Sequence, residues 1–469
     1  MHRIPENFNG YLEIDGAIFT YHVSKTIVTL FPAFQTPTEQ YACINNLLQK
    51  KGKLPQFVCG SYQGYQVIFF INSEIIPSMM EPSCCFATSM IIKAAGNADG
   101  FYAKLSEHWG RFHSITFYGG NINFLHDPLN IIDNKASLND KYRRISIKDQ
   151  KEYTHKIKCM IDDEEVELTI SIQDSTKIKD NENTLKGVSI GNLNSFIRLT
   201  FTAYKDFSSI SKYASLIRKL ISFLTIQSNV FCNIYLSQKD KDGLLYKTAD
   251  CKIFDSYQNY ATNSWPSVIR LTTLKRYLPT LIAKLNEHAY DSIFDVLPKN
   301  NTEIHKISIY NIQNLCSTLE SVYKFKNAQR SKDSDIERLK ADIKKTISEF
   351  IKNNPTIDVY SKTNISSAFQ YLDFTLKDKI ITLYEEYKEV LDTFCSEKNL
   401  PEITHEKIGS FVKLRNQKTH NGVVELDDSA LLYRPLFVLS YICIFDDLSL
   451  SIEDINYVVH FPFSYMVMQ

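Results

Sequence analysis

Hydrophobic and polar residues alternate along much of the first half of the chain. In HKIKCMIDDEEVELTISIQ (residues 155–173), apolar residues occupy every second position before and after the polar pair Asp162-Asp163. Alternation with a period of two on both sides of a short polar turn is typical of a β-hairpin. FHSITFYGGNINFLHD (residues 112–127) repeats the pattern around Gly119-Gly120 and predicts a second hairpin.

Further short strands are predicted throughout this half. They are GYLEID, AIFTYHV, TIVTLF, GYQVIFFIN and FIRLTFTAY, and NVFCNIYLSQ with DKDGLLYKTADCKIF predicts one more hairpin. One amphipathic helix interrupts them at SSISKYASLIRKLISFLT, where Ser208 or Ser209 is the expected N-cap. Short strands with frequent turn signals favour a twisted antiparallel sandwich or an open barrel.

From about Trp265 the hydrophobic period changes to that of helices. The predicted helices are PSVIRLTTLKRYLPTLIAKLNEH, SIYNIQNLCSTLESVYKFK, SDIERLKADIKKTISEFIKN, a long one around LKDKIITLYEEYKEVLDTF, THEKIGSFVKLRNQKTH and LDDSALLYRPLFVLSYICIFDDL. Short loops between them favour a helical bundle. The sequence therefore predicts an α+β chain, with a β-rich domain over residues 1–255, a boundary at 255–266 and an all-helical domain over residues 266–469.

Composition narrows the kind of site that is expected. The 469 residues include 53 Lys+Arg and 53 Asp+Glu, so no global positive field attracts nucleic acid, and an RNA or DNA site needs a local concentration of positive charge. The ten cysteines form no CxxC pair and no Cys/His cluster with zinc-ligand spacing, so no metal site is expected.

Two parts of the sequence bear on localisation, the N-terminus and the longest apolar run. The N-terminal residues contain no apolar signal-peptide core, and the run LLYRPLFVLSYICIF is short for a membrane span and contains Arg434 and Pro435. That run is expected to be a buried helix. We expect a cytoplasmic protein with reduced thiols and no membrane association.

The residues best suited to catalysis or ligand binding lie in FVKLRNQKTHNG (residues 411–422). Thr404 can cap the helix that contains this stretch, Ile403 and Ile408 have the spacing of a hydrophobic staple, and Asn421-Gly422 is typical of a helix end. These signals predict a helix that runs from about residue 404 to about residue 420.

The helix carries three polar groups on or beside its apolar face. At 100° per residue, Arg415 falls in the middle of the apolar stripe, with Asn416 and His420 together on its flank. A buried guanidinium needs a carboxylate, a phosphate or another subunit as its partner. Arginine, amide and imidazole can grip a phosphodiester and move a proton, although a structural Arg–Glu pair and a helix-capping His would have the same spacing.

The six residues RNQKTH, 415–420, match the R-x4-6-H pattern of the HEPN ribonuclease superfamily, including the Asn that commonly follows the Arg. The surrounding helices resemble the HEPN bundle. A β-rich half followed by such a domain resembles the ApeA-type anti-phage defence proteins of bacteria.

This resemblance implies a metal-independent endoribonuclease that needs no cofactor. Arg415 would hold the scissile phosphate, His420 would act as general acid or base, and Asn416 would orient His420 or the phosphate. Lys413 and Lys418 would contact the RNA backbone.

The superfamily often carries an acidic residue on an earlier helix. Glu320, in STLESVY, is the best candidate to orient Arg415, with Glu349 and Glu386 as alternatives. HEPN domains usually pair, so a homodimer or higher homo-oligomer is expected, with the Arg-bearing seam at the dimer interface.

By the same resemblance, the chain would cut RNA, with tRNA the suspected substrate, during abortive anti-phage infection. The first half would be a sensor that keeps the nuclease silent until a trigger, such as a phage-derived protein, arrives. Two alternatives remain. One is a non-catalytic HEPN scaffold in which Arg415 pairs with a carboxylate, and the other is a ligand-binding β-sandwich, complete in residues 1–255, that the helices oligomerise.

Overall fold

A computed structural model describes most of the chain. The described residues are 4–49, 56–78, 80–94, 110–135, 144–173, 193–254, 268–299, 303, 306–327, 335–356, 358, 361, 375–415 and 426–463. They form two compact units, one of Met1–Ile221 with Val230–Asn259 and one of Ser222–Asn229 with Tyr260–Gln469. The predicted boundary at 255–266 lies outside the described residues.

The first unit is β-rich, as predicted. Its strands are β1 (Asn7–Ile14), β2 (Ala17–Ser24), β3 (Ile27–Pro32), β4 (Phe57–Tyr62), β5 (Tyr65–Ile71), β6 (Ile76–Pro77), β7 (Cys84–Ala94), β8 (Arg111–Tyr118), β9 (Ile132–Lys135), β10 (Arg144–Ile147), β11 (His155–Ile161), β12 (Glu164–Gln173), β13 (Asn194–Asp206), β14 (Asn233–Lys239) and β15 (Leu245–Ile253). Its helices are α1 (Pro37–Gln49), α2 (Ile122–Leu125), α3 (Gln150–Tyr153) and most of α4 (Ile210–Thr225). All the described strand pairs are antiparallel.

Six of the strands close into a barrel, in the order β7-β3-β2-β1-β4-β5 and back to β7. Closure depends on the length of β7, whose first residues pair with β3 while its later residues pair with β5. Side chains such as Phe8, Tyr21, Phe69 and Phe86 fill the interior. The expected sandwich or open barrel is thus a closed barrel, and closure removes the exposed strand edges that an open barrel would leave.

An open sheet continues from the barrel through β7, in the order β15-β14-β8-β13-β12-β11. Helix α4 covers part of it, since the Tyr213 ring packs against Phe201 of β13, with 4.6 Å between ring centroids. The apolar stripe predicted for this helix is buried throughout. Both the β11–β12 and the β14–β15 hairpins form as predicted.

Of the hairpins predicted at Asp162-Asp163 and at Gly119-Gly120, the structure contains the first and not the second. Asp162 and Asp163 both have positive φ, 51° and 61°, and make the tight turn between β11 and β12. The hairpin predicted at Gly119-Gly120 is wrong, because the chain winds into α2 after the glycines. The edges of β8 are already paired with β13 and β14, so no place remains for a returning strand.

The second unit is helical. Its helices are α5 (Leu278–Asn286), α6 (Asp291–Phe294), α7 (Ile309–Asn327), α8 (Asp335–Asn353), α9 (Leu376–Glu386), α10 (Lys388–Glu397), α11 (His405–Arg415), α12 (Tyr433–Asp447) and α13 (Ile452–His460). The single long helix predicted around residues 376–394 is two helices, because the backbone breaks at Tyr387, whose hydroxyl donates a hydrogen bond to Asp446 (2.8 Å). Helix α7 packs against α6, α9, α11 and α12.

Helix α12 is the core of this unit. Nearly all of its side chains are buried, as predicted for LLYRPLFVLSYICIF. By length and hydropathy the segment Asp428–Asp447 passes as a membrane span, but 83% of it is buried inside the protein, which is the pattern of a core helix. All ten cysteines are free thiols.

A small substitution at Gly120, in the turn after β8, is expected to destabilise the protein strongly. A Cβ on Gly120 would lie 2.1 Å from the Phe231 carbonyl oxygen, and Gly120 has a φ of +55°. We expect Gly120→Ala to lower the free energy of unfolding by at least about 3 kcal/mol, because strain and overlap add. Urea denaturation of the full chain measures the change.

Gly16→Ala is the matched control, since Gly16 also has positive φ, +79°, but has open space around it. It should cost only about 1 kcal/mol, the penalty of the backbone conformation alone. Equal losses in the two variants would contradict the crowding at Gly120.

Candidate functional site

The predicted helix around the RNQKTH stretch begins where the sequence places it. Thr404 Oγ1 accepts a hydrogen bond from the Lys407 N–H (3.2 Å), and the Thr404 carbonyl accepts one from the Ile408 N–H (2.9 Å). Ile403 and Ile408, the predicted staple, are both buried. The start of α11 is therefore fixed by the cap and by two apolar side chains.

The end of the predicted helix is different. The structure describes α11 as far as Arg415, and Asn416, Lys418, His420 and the expected terminator Asn421-Gly422 lie outside the described residues. Of the site residues predicted on this helix, Lys413 and Arg415 are described. Lys413 is exposed, as expected of a residue that contacts a ligand backbone or solvent.

Arg415 follows the apolar face of α11 but is less buried than its neighbours there. The buried residues of α11 are Ile408, Phe411 and Leu414, whereas Arg415 is half-buried. At 100° per residue the direction of Arg415 falls between those of Ile408 and Phe411, as predicted. The guanidinium consequently pays a smaller desolvation cost than a fully buried one would.

The backbone of Arg415 is attached to α7. Gln313 Nε2 donates a hydrogen bond to the Arg415 carbonyl oxygen (3.2 Å). Burial raises the pKa of the Cys316 thiol, one turn further along α7, to about 12, and the nearby charge of Arg415 opposes that rise. The hydrogen bond and the electrostatic effect together place the Arg415 side chain beside the first two turns of α7.

Glu320 does not serve as the partner of Arg415 in this structure. Its carboxylate accepts a hydrogen bond from Lys379 of α9 (2.8 Å) and lies 3.5 Å from the Nζ of Lys324. The hydrogen bond from Lys379 is the main reason that the pKa of Glu320 is lowered from its ordinary value. Among the residues that the structure describes, no carboxylate lies within ion-pair distance of the Arg415 guanidinium.

The two alternative carboxylates are also placed elsewhere. Glu386, at the end of α9, forms an ion pair with Lys326 (2.9 Å), and Lys326 also contacts Asp446 (3.0 Å). Glu349 is exposed on α8. Asp446, which the sequence offered no role, is thus part of a structural ion-pair cluster.

Helix α9 adds lysines that sequence reasoning did not select. Lys377 packs over α11, since a Cβ on Gly409 would lie 3.3 Å from Lys377 Cε, and Lys379 reaches Glu320 on α7. Both lysines are visible in the sequence stretch LKDKI. Their spacing does not show which neighbouring helix they face, so the sequence alone gives little reason to select them. They add two cations on the helix beside α11, of which Lys379 is paired with Glu320.

This arrangement suits the recognition of a phosphate. A half-buried arginine that no carboxylate in the described part of the chain engages keeps its fork of donors for bidentate contact with phosphate oxygens. Glu320 neutralises part of the lysine charge and is held by it, so its carboxylate does not compete for Arg415. No group of three or more His, Cys, Asp or Glu in the described part of the chain is close enough to hold a metal ion.

Comparisons with protein-family models, curated proteins and solved structures find no match for this chain. The functional argument therefore depends on the residues and their geometry.

The contacts of Arg415 and Lys379 predict different effects on stability. Arg415→Ala should lower the free energy of unfolding by less than about 1 kcal/mol, because no carboxylate among the described residues loses its partner. Lys379→Ala should cost about 1–2 kcal/mol, because Glu320 is then left with Lys324 alone. Urea denaturation of the full chain compares them, with Lys377→Ala as the control for loss of an exposed lysine on the same helix.

A loss of several kcal/mol in Arg415→Ala would contradict this prediction. It would indicate that Arg415 has a structural ion pair, as the scaffold alternative requires.

The lowered pKa of Glu320 predicts a pH dependence with a definite sign. Because the pKa is lower in the folded protein, the carboxylate stabilises fully above the ordinary pKa of glutamate, about 4.3. The contribution is lost as the pH falls through the lowered value. The stability difference between wild type and Glu320→Gln should therefore be largest near about pH 7 and shrink below about pH 4. A difference that grows on acidification would contradict the ion pair with Lys379.

Proposed function

We propose that this protein is a metal-independent endoribonuclease that cleaves RNA through Arg415 and His420. The observation that carries the proposal is the half-exposed Arg415 guanidinium, which no described carboxylate engages, at the end of α11. Five residues later the sequence supplies a titratable imidazole. An anion-binding fork followed by a proton-transfer group is what cleavage of a phosphodiester by its own 2′-hydroxyl requires.

In the proposed reaction the ribose 2′-oxygen attacks the adjacent phosphorus, and the bond from phosphorus to the 5′-oxygen breaks. Arg415 holds the non-bridging oxygens and stabilises the charge that develops on the phosphorane. His420 makes one of the two proton transfers, from the 2′-hydroxyl or to the leaving 5′-oxygen, and water makes the other. Asn416 orients His420 or the phosphate. The products are a 2′,3′-cyclic phosphate and a 5′-hydroxyl, and no external oxidant or cofactor is needed.

The scaffold alternative has weaker support. It requires Arg415 to be a structural cation paired with a carboxylate, and Glu320 was the best candidate. The Glu320 carboxylate instead binds Lys379 and Lys324. A cation that has no such partner among the described residues supports a ligand that supplies the negative charge.

The biological setting is proposed from the HEPN and ApeA-type resemblance. Two copies would pair through the helical domain so that both RNQKTH stretches line one cleft, with Lys413 and Lys418 on the RNA backbone. The protein would act in the cytoplasm on tRNA or another cellular RNA during abortive anti-phage infection. The β-rich unit would hold the nuclease inactive until a phage-derived trigger binds.

Cleavage of total tRNA in EDTA by the purified full chain tests the proposal. With lysate from phage-infected cells added as the source of the trigger, wild type should produce fragments with cyclic-phosphate ends, whereas Arg415→Ala and His420→Ala should reduce the rate at least about 100-fold. His405→Ala is the matched control. His405 lies on the same helix, but its imidazole Nε2 contacts the Glu385 carboxylate at 2.7 Å and is not part of the proposed site. It should cleave like wild type.

Expression in bacteria before and during phage infection extends this test to the trigger. Toxicity that persists unchanged in Arg415→Ala or His420→Ala would refute the proposed active site. Cleavage that chelators abolish would refute the metal-independent mechanism.

A further inference from the structure

A cavity of about 480 Å³ opens beside the start of α7 in the helical unit. Its apolar wall includes the rings of Phe294, Tyr433 and Phe437. The volume is within the range of pockets that bind small molecules and single groups of larger ligands. Tyr433 is fixed there, since its hydroxyl donates a hydrogen bond to the Val296 carbonyl (3.4 Å).

Tyr310, the second residue of α7, also lines this cavity. Its side chain is 67% exposed, which is unusual for so large a ring. An exposed aromatic ring beside a cavity is the arrangement on which single-stranded nucleic acids stack their bases. The ring thus offers a stacking surface.

The polar groups around the cavity narrow the class of ligand. Lys299 and Lys306 provide two cations, while Asp295 and Glu303 provide two carboxylates, so the net charge favours neither a bare anion nor a bare cation. Asn311 adds an amide that can donate and accept. A nucleotide meets all these groups, since its base carries ring faces, donors and acceptors, and its phosphate is an anion.

The cavity is also close to Arg415. Tyr310 and Gln313 are three residues apart on α7, so their Cβ atoms are about 5–6 Å apart. Gln313 is the residue that donates a hydrogen bond to the Arg415 carbonyl. One helical turn therefore separates Tyr310 from the residue that holds the backbone of Arg415, so the cavity and Arg415 lie on neighbouring parts of the same helical unit.

We propose that this cavity binds one unpaired nucleotide of the RNA strand whose scissile phosphate Arg415 holds. The base stacks on Tyr310, its edge meets Asp295 and Asn311, and Lys299 or Lys306 contacts the backbone phosphate. The inference deepens the proposed ribonuclease function and rests on it for the role of Arg415. It adds that the substrate is single-stranded next to the cleavage point, because a base inside a duplex cannot enter a cavity.

Binding in the absence of cleavage tests the site. The full-length His420→Ala protein is titrated against a fluorescein-labelled single-stranded oligoribonucleotide of mixed sequence, and fluorescence anisotropy is read. Adding Tyr310→Ala should weaken binding about tenfold, whereas Tyr310→Phe should stay within about twofold because it keeps the ring. Tyr457→Ala removes a ring that is 58% exposed on α13 and should leave affinity unchanged.

The same RNA annealed to its complement should bind less tightly and should not respond to Tyr310→Ala. Equal affinities of Tyr310→Ala and Tyr457→Ala, or no RNA binding by any of the proteins, would overturn the nucleotide site.

The tRNA cleavage assay separates this failure from failure of the proposed function. If wild type cleaves through His420 and Tyr310→Ala has an unchanged KM, the ribonuclease stands and the cavity is not its subsite. If RNA binding depends on Tyr310 but tRNA is not cleaved even with lysate from phage-infected cells, the nucleotide site stands and the nuclease proposal fails.

Discussion

The burial of nearly all of α12 determines how the helical unit presents its polar residues. Because almost all of its side chains are buried, the neighbouring helices must each give an apolar face to it. On α7 this face includes Ile312, Leu315 and Leu319, and the opposite side of the helix is left for polar groups. Tyr310, Gln313 and Glu320 occupy that outer side, where α9 and α11 pack beside it.

The ion pair between Glu320 and Lys379 then decides how Arg415 is used. A carboxylate near a guanidinium would normally neutralise it, but this one accepts a hydrogen bond from a lysine that is itself only 16% exposed. Exchanging partners would leave the ammonium of Lys379 poorly solvated, which opposes the exchange. Among the described residues, Arg415 consequently has no carboxylate at ion-pair distance, and its charge stays available to a ligand.

Features that depend on neighbouring residues in the chain were predicted correctly from the sequence. The Asp162-Asp163 turn, the Thr404 cap and the buried helix over LLYRPLFVLSYICIF follow from neighbouring residues, and the structure has all three. Barrel closure does not follow from such signals, because it depends on the pairing of β5 with β7. The partner of Glu320 was missed for the same reason. Helical spacing gives the face of a side chain, but Lys379 arrives from another helix 59 residues away.

Arg415 and the proposed nucleotide cavity are better explained as two parts of one binding site for an RNA strand than as two separate sites. Either alone would suit a small ligand, the guanidinium a free phosphate and the cavity a mononucleotide. Gln313 connects them, since it lies one turn from Tyr310 and donates a hydrogen bond to the backbone carbonyl of Arg415. A ligand that used both would need a phosphate for the guanidinium and a base for the ring, and an RNA strand carries both.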